Sequence, residues 1–219
     1  MKTLIQFSLI FLLIGLFSSC KSDANKNSAN TATKPAANSA SAEIYKITPG
    51  IKINWIGRKV TSSHKGTIKI SSGEIQVENN TIKGGNFTID MTSIENTDLD
   101  ASSGKAKLEG HLKSPDFFDV AKYPTAKFEI TKVVAVKNNP SITHNIFGNL
   151  TLKDVTKNIG FNTKLAIKDG ALLAIIPNFK IDRTAFNVEY GSGKLADAIK
   201  DKVILDEIEL GISALTAKK

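Results

Sequence analysis

Three histidines, His64, His111 and His144, and the run Asp182-Arg183-Thr184 are the residues of this chain best suited to chemistry. Histidines on one helix face, or beside a Cys pair, would hold a divalent metal. These three are scattered and the chain has one cysteine, so no metal site is expected. They read instead as hydrogen-bonding groups near the ends of the fold. Arg183 offers a planar fork of donors that suits a phosphate or carboxylate headgroup. An intrachain ion pair with Asp182, Asp116 or Asp119, locking a strand end to a helical insert, is the reading favoured for it. Asp90, Asp116 and Asp119 have the chemistry of an acid/base pair. No nucleophile elbow, glycine-rich phosphate loop or paired-carboxylate motif accompanies them, so the sequence points away from an enzyme.

The elements that must position these residues repeat with period two. Ile51, Ile53 and Trp55 alternate with mostly polar positions, as do Phe161, Thr163, Leu165 and Ile167, and again Ile208, Leu210, Ile212 and Ala214, with Ile56, Ala166 and Gly211 the exceptions. Each run predicts a strand with one buried face. Similar runs occupy residues 64–70, 73–78, 81–91, 125–136 and 142–153. Ser72-Gly73, Asn79-Asn80, Asn138-Asn139-Pro140 and Asp169-Gly170 carry turn chemistry, and Asp-Gly between two apolar runs is a strong hairpin signal. Pro177 inside Ala171 to Asp182 predicts an edge or a bulge. Residues 102–120 break the period: Leu108 and Leu112 lie one helical turn apart, and Ser114-Pro115-Asp116 reads as the start of a helical segment carrying Phe117, Phe118 and Val120. About eight antiparallel strands with one apolar face can close into a barrel or stack as two sheets. Periodicity shows an apolar interior without showing whether it is hollow.

Residues 1–19 carry Lys2, then an almost unbroken apolar stretch from Leu4 to Phe17, too short for a comfortable spanning helix. They read as an export signal. Ser18-Ser19 before Cys20 is similar to a bacterial lipobox, with Phe17 where Leu is usual. Cleavage before Cys20 and acylation of its sulfur and amine would anchor the protein, each buried methylene contributing roughly 0.8 kcal/mol. An ordinary secretory peptide and an uncleaved anchor are the alternatives. Lys21 rather than Asp after Cys20 is compatible with the outer membrane, facing the periplasm. Residues 20–42 contain no Leu, Ile, Val or aromatic residue and read as a lipidated flexible tether, leaving 43–219 as one folded domain. The formal charge is +8, and losing Lys2 with the leader leaves +7. An exported protein does not meet nucleic acid routinely, so no nucleic acid partner is expected, and an anionic lipid surface suits that charge better.

The stretch Gly110-His111-Leu112-Lys113-Ser114-Pro115-Asp116-Phe117-Phe118-Asp119-Val120, continuing through Tyr123-Pro124-Thr125-Ala126-Lys127-Phe128, resembles the signature of the YceI-like family of exported lipid-binding proteins. Trp55-Ile56-Gly57, His64-Lys65-Gly66-Thr67, Gly85-Asn86-Phe87, Gly148-Asn149-Leu150 and Ile181-Asp182-Arg183-Thr184-Ala185-Phe186 match in order. Asn187 and Asp154 stand where Gly is common among relatives, at turns where Asn and Asp tolerate left-handed backbone.

The resemblance implies a mainly β fold: an extended antiparallel lipocalin-like β-barrel of about eight strands with a short helical insert. It also implies an apolar interior that takes a polyisoprenoid, an isoprenoid quinone or a similar long-chain amphiphile. No cofactor is implied, and no protein partner is named. Trp55, Phe87, Phe117, Phe118, Phe128, Phe161, Phe179 and Phe186 are the large apolar groups most able to line that interior. His64, His111 and Arg183 are the headgroup candidates at its mouth. The function expected is non-enzymatic carrying or sequestering of such a lipid at the envelope. The alternatives are an interaction protein whose barrel its own side chains fill and, after it, a lipid-modifying enzyme.

Overall fold

The computed structural model of the protein describes residues 30–36, 41–194 and 203–219. Cys20, residues 1–19 expected to be a leader, and most of the segment before Glu43 lie outside the described residues. The chain runs β1 (Asn30–Thr31), β2 (Glu43–Ile47), β3 (Lys52–Arg58), β4 (Ser63–Glu78), β5 (Thr81–Asn96), α1 (Lys105–Lys113), β6 (Thr125–Ala135), β7 (His144–Leu152), β8 (Val155–Lys168), β9 (Ala171–Asp182), a 3-10 turn (Arg183–Phe186) and β10 (Glu207–Lys218).

The named strands of the described residues all pair antiparallel, and β4 through β10 follow one another around a ring that β9 closes by pairing with both β8 and β10. The eighth position is shared end to end by β2 and β3, both of which pair with β4 and with β10. The result is a closed barrel of eight strands, which settles closure against stacked sheets. β4 and β5 are each sixteen residues long, enough for roughly 50 Å of extended chain. The barrel is correspondingly tall.

Turn chemistry sets the register. Asn79 and Asn80, and Asp169 with Gly170, all take positive φ, the geometry of a type I′ hairpin whose twist matches its strands. Lys153 and Asp154 do the same between β7 and β8, and Asn187 is left-handed after the 3-10 turn. Pro177 falls in a register shift where Leu210 pairs with Phe179 and Ile212 with Ile176, just beyond the last β8–β9 pair. Proline has no N–H to donate, so it fits best where the ladder is already interrupted.

Three expectations are corrected. Ser72-Gly73 is not a turn: β4 continues through it, and Gly73 is bare because Phe87 on β5 packs over it. Ser114 does not open a helix. It closes α1, its N–H and hydroxyl both donating to the His111 carbonyl, and Pro115 enters a tight turn that ends at the left-handed Asp119. The segment read as a tether also contributes structure. Asn30 and Thr31 pair with Asn158 and Lys157, and the Ala36 N–H donates to the Ile130 carbonyl at 3.2 Å. Backbone hydrogen bonds require no apolar side chain, so composition does not report them.

Candidate functional site

The barrel encloses two adjoining apolar cavities. The one beneath α1 measures about 170 Å³ and is lined by Trp55, Ile68, Met91, Leu108, Leu112, Phe117 and Phe118 among others. The deeper one measures about 110 Å³ and is lined by Phe87, Phe128, Phe161, Phe179, Ile70 and Leu215 among others. Ile53, Ile89, Leu150 and Leu210 belong to both walls, so the two spaces meet at that level. A void with no polar partners does not hold ordered water and favours apolar guests.

Backbone alternation builds the deeper wall. Phe87, Phe128, Phe161 and Phe179 come from β5, β6, β8 and β9, and their ring centroids follow one another at 6.1, 5.5 and 4.9 Å. Glycine makes room for two of the large rings. A β-carbon on Gly66 would lie 2.6 Å from Trp55 Cε2, and one on Gly148 would lie 2.6 Å from Phe128 Cε2.

The mouth lies at the β3–β4 hairpin, the helical insert and the segment leading into β10. His64 heads the inward row of β4 and its Nδ1 is 2.9 Å from Asp98 Oδ2. Burial pushes the Asp98 carboxyl up, but hydrogen bonds from the Lys65 N–H, His64 and Asn96 outweigh it and hold it below its ordinary value. Leu108 and Leu112 reach the cavity from α1, which is joined to β5 where Glu109 accepts the Asn96 N–H at 2.8 Å. Lys153 fixes the insert: its Nζ donates at 2.9 Å to the carbonyls of both Phe117 and Asn187.

The sequence model for the YceI-like domain matches residues 32–214. This chain belongs to the YceI-like family. A UPF0312 protein of Pseudomonas putida strain W619 is 42% identical over 84 residues, 35% of this chain and 42% of the relative. One from Pseudomonas aeruginosa strain LESB58 is 47% identical over 60 residues, 27% of this chain and 29% of the relative. These matches span less than half the length of the curated relatives. Among solved structures, BcnA of Burkholderia cenocepacia matches with a TM-score of 0.59 at 21% identity, covering 76% of this chain and 96% of that one. A polyisoprenoid binding domain from Saccharophagus degradans matches at 0.54 and 15% identity, covering 84% and 99%. At these identities the likeness shows a shared fold.

Within this YceI-like barrel the eight aromatic candidates separate. Trp55, Phe117 and Phe118 line the mouth cavity, and Phe87, Phe128, Phe161 and Phe179 line the deeper one. Phe186 lines neither. It is 0% exposed and packed in the core, because it stands in the 3-10 turn after β9, outside the strand alternation that points side chains into the barrel. The headgroup candidates separate as well. His64 is at the cavity rim. His111 is not in the wall: it stacks edge-on against Phe117 and Tyr190, at 5.1 and 4.6 Å, with Nε2 3.6 Å from Asp116.

Arg183 also belongs to the lining of the mouth cavity, but three of its nitrogens donate to the protein's own backbone. Its side chain is 1% exposed, and Nε, Nη1 and Nη2 donate to the carbonyls of Leu205, Val188 and Ile204 at 3.2, 2.6 and 3.0 Å. Its carboxylate neighbour is Asp206 at 3.7 Å, in place of the acids expected from sequence. Asp182 instead caps the 3-10 turn through the Thr184 N–H and pairs with Lys194. Burial pushes the Arg183 pKa down, while Asp206 and Asp182 oppose that. Arg183 therefore clamps the loop before β10 to the barrel. The aliphatic wall and the rim residues Lys59, Ser62 and Ser63 are what the sequence reading missed. Period-two patterning marks the aliphatic residues as inward without distinguishing wall from core, and nothing local marks a hairpin tip as a cavity rim.

Proposed function

We propose that this protein is a non-enzymatic lipid-binding protein that takes the tail of a polyisoprenoid, or a similar long-chain amphiphile, into its barrel and carries or sequesters it at the cell envelope. The observation that carries the reading is the pair of adjoining cavities with an apolar wall from mouth to depth. Enclosing a hydrocarbon tail there removes its surface from water, a gain of roughly 25 cal/mol per Å². Family membership supports the reading, as does the likeness to a barrel described as a polyisoprenoid binding domain. The leader and Cys20 support export and lipid anchoring, with the outer membrane as the expected site.

The test is native mass spectrometry, with organic extraction, of the chain from Lys21 onward purified from a bacterial periplasm. A bound mass that extracts as an isoprenoid or another long-chain lipid is the expected result, and loading it should raise the melting temperature by mass action. A mass equal to the bare chain, unchanged after incubation with prenyl phosphates, prenols and isoprenoid quinones, would sink the reading.

A further inference from the structure

An amphiphile whose tail fills an apolar cavity leaves its polar end at the mouth. There one hairpin supplies polar residues to the rim: Lys59, Ser62, Ser63 and His64. Its tip is closed by the Lys59 N–H donating to the Ser62 carbonyl at 2.7 Å, which sets Lys59 and Ser62 across from each other. Ser63 and His64 then begin β4, paired with Arg58 and Gly57.

Four cations near the rim are engaged among the described residues. Arg58 pairs with Glu209 at 3.1 Å, Arg183 with three carbonyls and Asp206, Lys194 with Asp182 and Asp206 at 3.1 and 3.2 Å, and Lys153 with two carbonyls. Among the described residues, Lys59 is a rim cation with no carboxylate within ion-pair distance. The Ser62 and Ser63 hydroxyls likewise have no hydrogen-bond partner among the described residues. Asp98, the acid bonded to the rim residue His64, already accepts from His64, the Lys65 N–H and Asn96.

We infer that Lys59, with the hydroxyls of Ser62 and Ser63, holds an anionic phosphate headgroup, so that the barrel prefers a prenyl phosphate over a neutral prenol or quinone of equal tail length. This rests on the lipid-binding reading above. An ammonium supplies a compact charge with three donors and each hydroxyl supplies one more, a set that satisfies phosphate oxygens through charge-assisted hydrogen bonds. A neutral hydroxyl or a quinone carbonyl draws no comparable benefit from the charge.

The experiment titrates the chain from Lys21 onward, stripped of lipid, with a prenyl phosphate, the matching prenol and inorganic phosphate, following binding calorimetrically. The phosphate ester should bind about tenfold more tightly than the alcohol, the contribution of about one charge-assisted contact. Lys59→Met should erase that difference by weakening the phosphate ester far more than the prenol, and Lys59→Arg should keep most of it. Equal affinities for the two lipids in the parent protein, or an equal loss for both in Lys59→Met, would overturn the inference while leaving a lipid-binding barrel. Lys59-dependent binding of inorganic phosphate that a bound prenol does not enhance would overturn it too, by assigning the rim to free anion. Binding of none of the three would defeat the lipid-binding reading itself.

Discussion

Trp55 lies directly over Gly66, its cross-strand partner between β3 and β4, and the indole occupies the space that a side chain at position 66 would need. The ring is held by its own N–H, which donates to the Thr67 carbonyl at 3.3 Å. Gly66→Ala would drive a methyl group into the ring and into the backbone carbonyl of Glu95, which cannot turn aside as a flexible side chain would. A loss of about 3 kcal/mol is expected from this overpacking, read from urea unfolding. Trp55 is the one tryptophan of the chain and lines the mouth cavity, so its emission should also shift when lipid enters. Unchanged stability in Gly66→Ala would mean that the ring does not sit there.

Arg183 gives the second prediction. Arg183→Met removes the donors of three carbonyls and leaves Asp206 beside the core without its guanidinium partner. Breaking a buried charged network of this kind is expected to destabilise the fold by about 3 kcal/mol or more. Arg183→Lys keeps the charge but loses the three-way fork, and should rescue little. A variant of normal stability that had lost lipid affinity alone would return Arg183 to the headgroup role.

What the sequence reveals follows the range of each interaction. The period-two rows from Ile51 to Trp55 and from Phe161 to Ile167 are local consequences of the pleat and are legible without a structure, as is the Asp169-Gly170 hairpin. Ser72-Gly73 and Ser114-Pro115-Asp116 mislead because one local chemistry serves two ends. Glycine that admits a facing phenyl ring looks like glycine that turns the chain, and Ser-Pro after a helix looks like Ser-Pro before one. Contacts made by distant partners leave no local trace: His64 with Asp98, and Asn149 with Thr33, become neighbours only when the barrel closes.

The Asn149 pair supports a third prediction. Its carboxamide accepts the Thr33 N–H at 3.0 Å and donates to the Thr33 carbonyl at 2.6 Å, taking the place of a neighbouring strand. Asn158 Nδ2 steadies the amide by donating to Asn149 Oδ1 at 3.0 Å. Asn149→Ala should free residues 30–36, with hydrogen exchange there accelerating at least tenfold and global stability falling by about 1 to 2 kcal/mol. Exchange in that segment as fast in the parent as in the variant would show that it does not dock.

Asp100 makes a prediction about acid. Hydrogen bonds from the Ser103 hydroxyl, the Ser102 hydroxyl and the Ser103 N–H hold its carboxyl down to about 2, against an ordinary value of 3.8. Because the folded value is the lower one, its contribution to stability is fully present above about pH 4 and is lost as the pH falls toward 2. The Asp100 carboxyl carbon followed by NMR should titrate with a midpoint near 2, and Asp100→Asn should flatten that part of the acid limb. A midpoint near 4 would mean that the serine contacts do not persist in solution.

The passage between the two cavities is the most direct test of how the barrel uses its interior. Ile53, Ile89, Leu150 and Leu210 face both spaces, so a larger group at Ile53 would narrow the junction while leaving the mouth and the aromatic wall of Phe87, Phe128, Phe161 and Phe179 in place. Ile53→Phe is expected to lower stability by about 1 to 3 kcal/mol, within what a folded barrel tolerates. A tail short enough to occupy only the mouth cavity should bind as before. A tail long enough to cross the junction should lose at least about tenfold, since the apolar surface that would lie in the deeper cavity remains in water. Equal losses for short and long tails would show that Ile53 acts on the mouth alone, and no loss for either would show that the deeper cavity is not used.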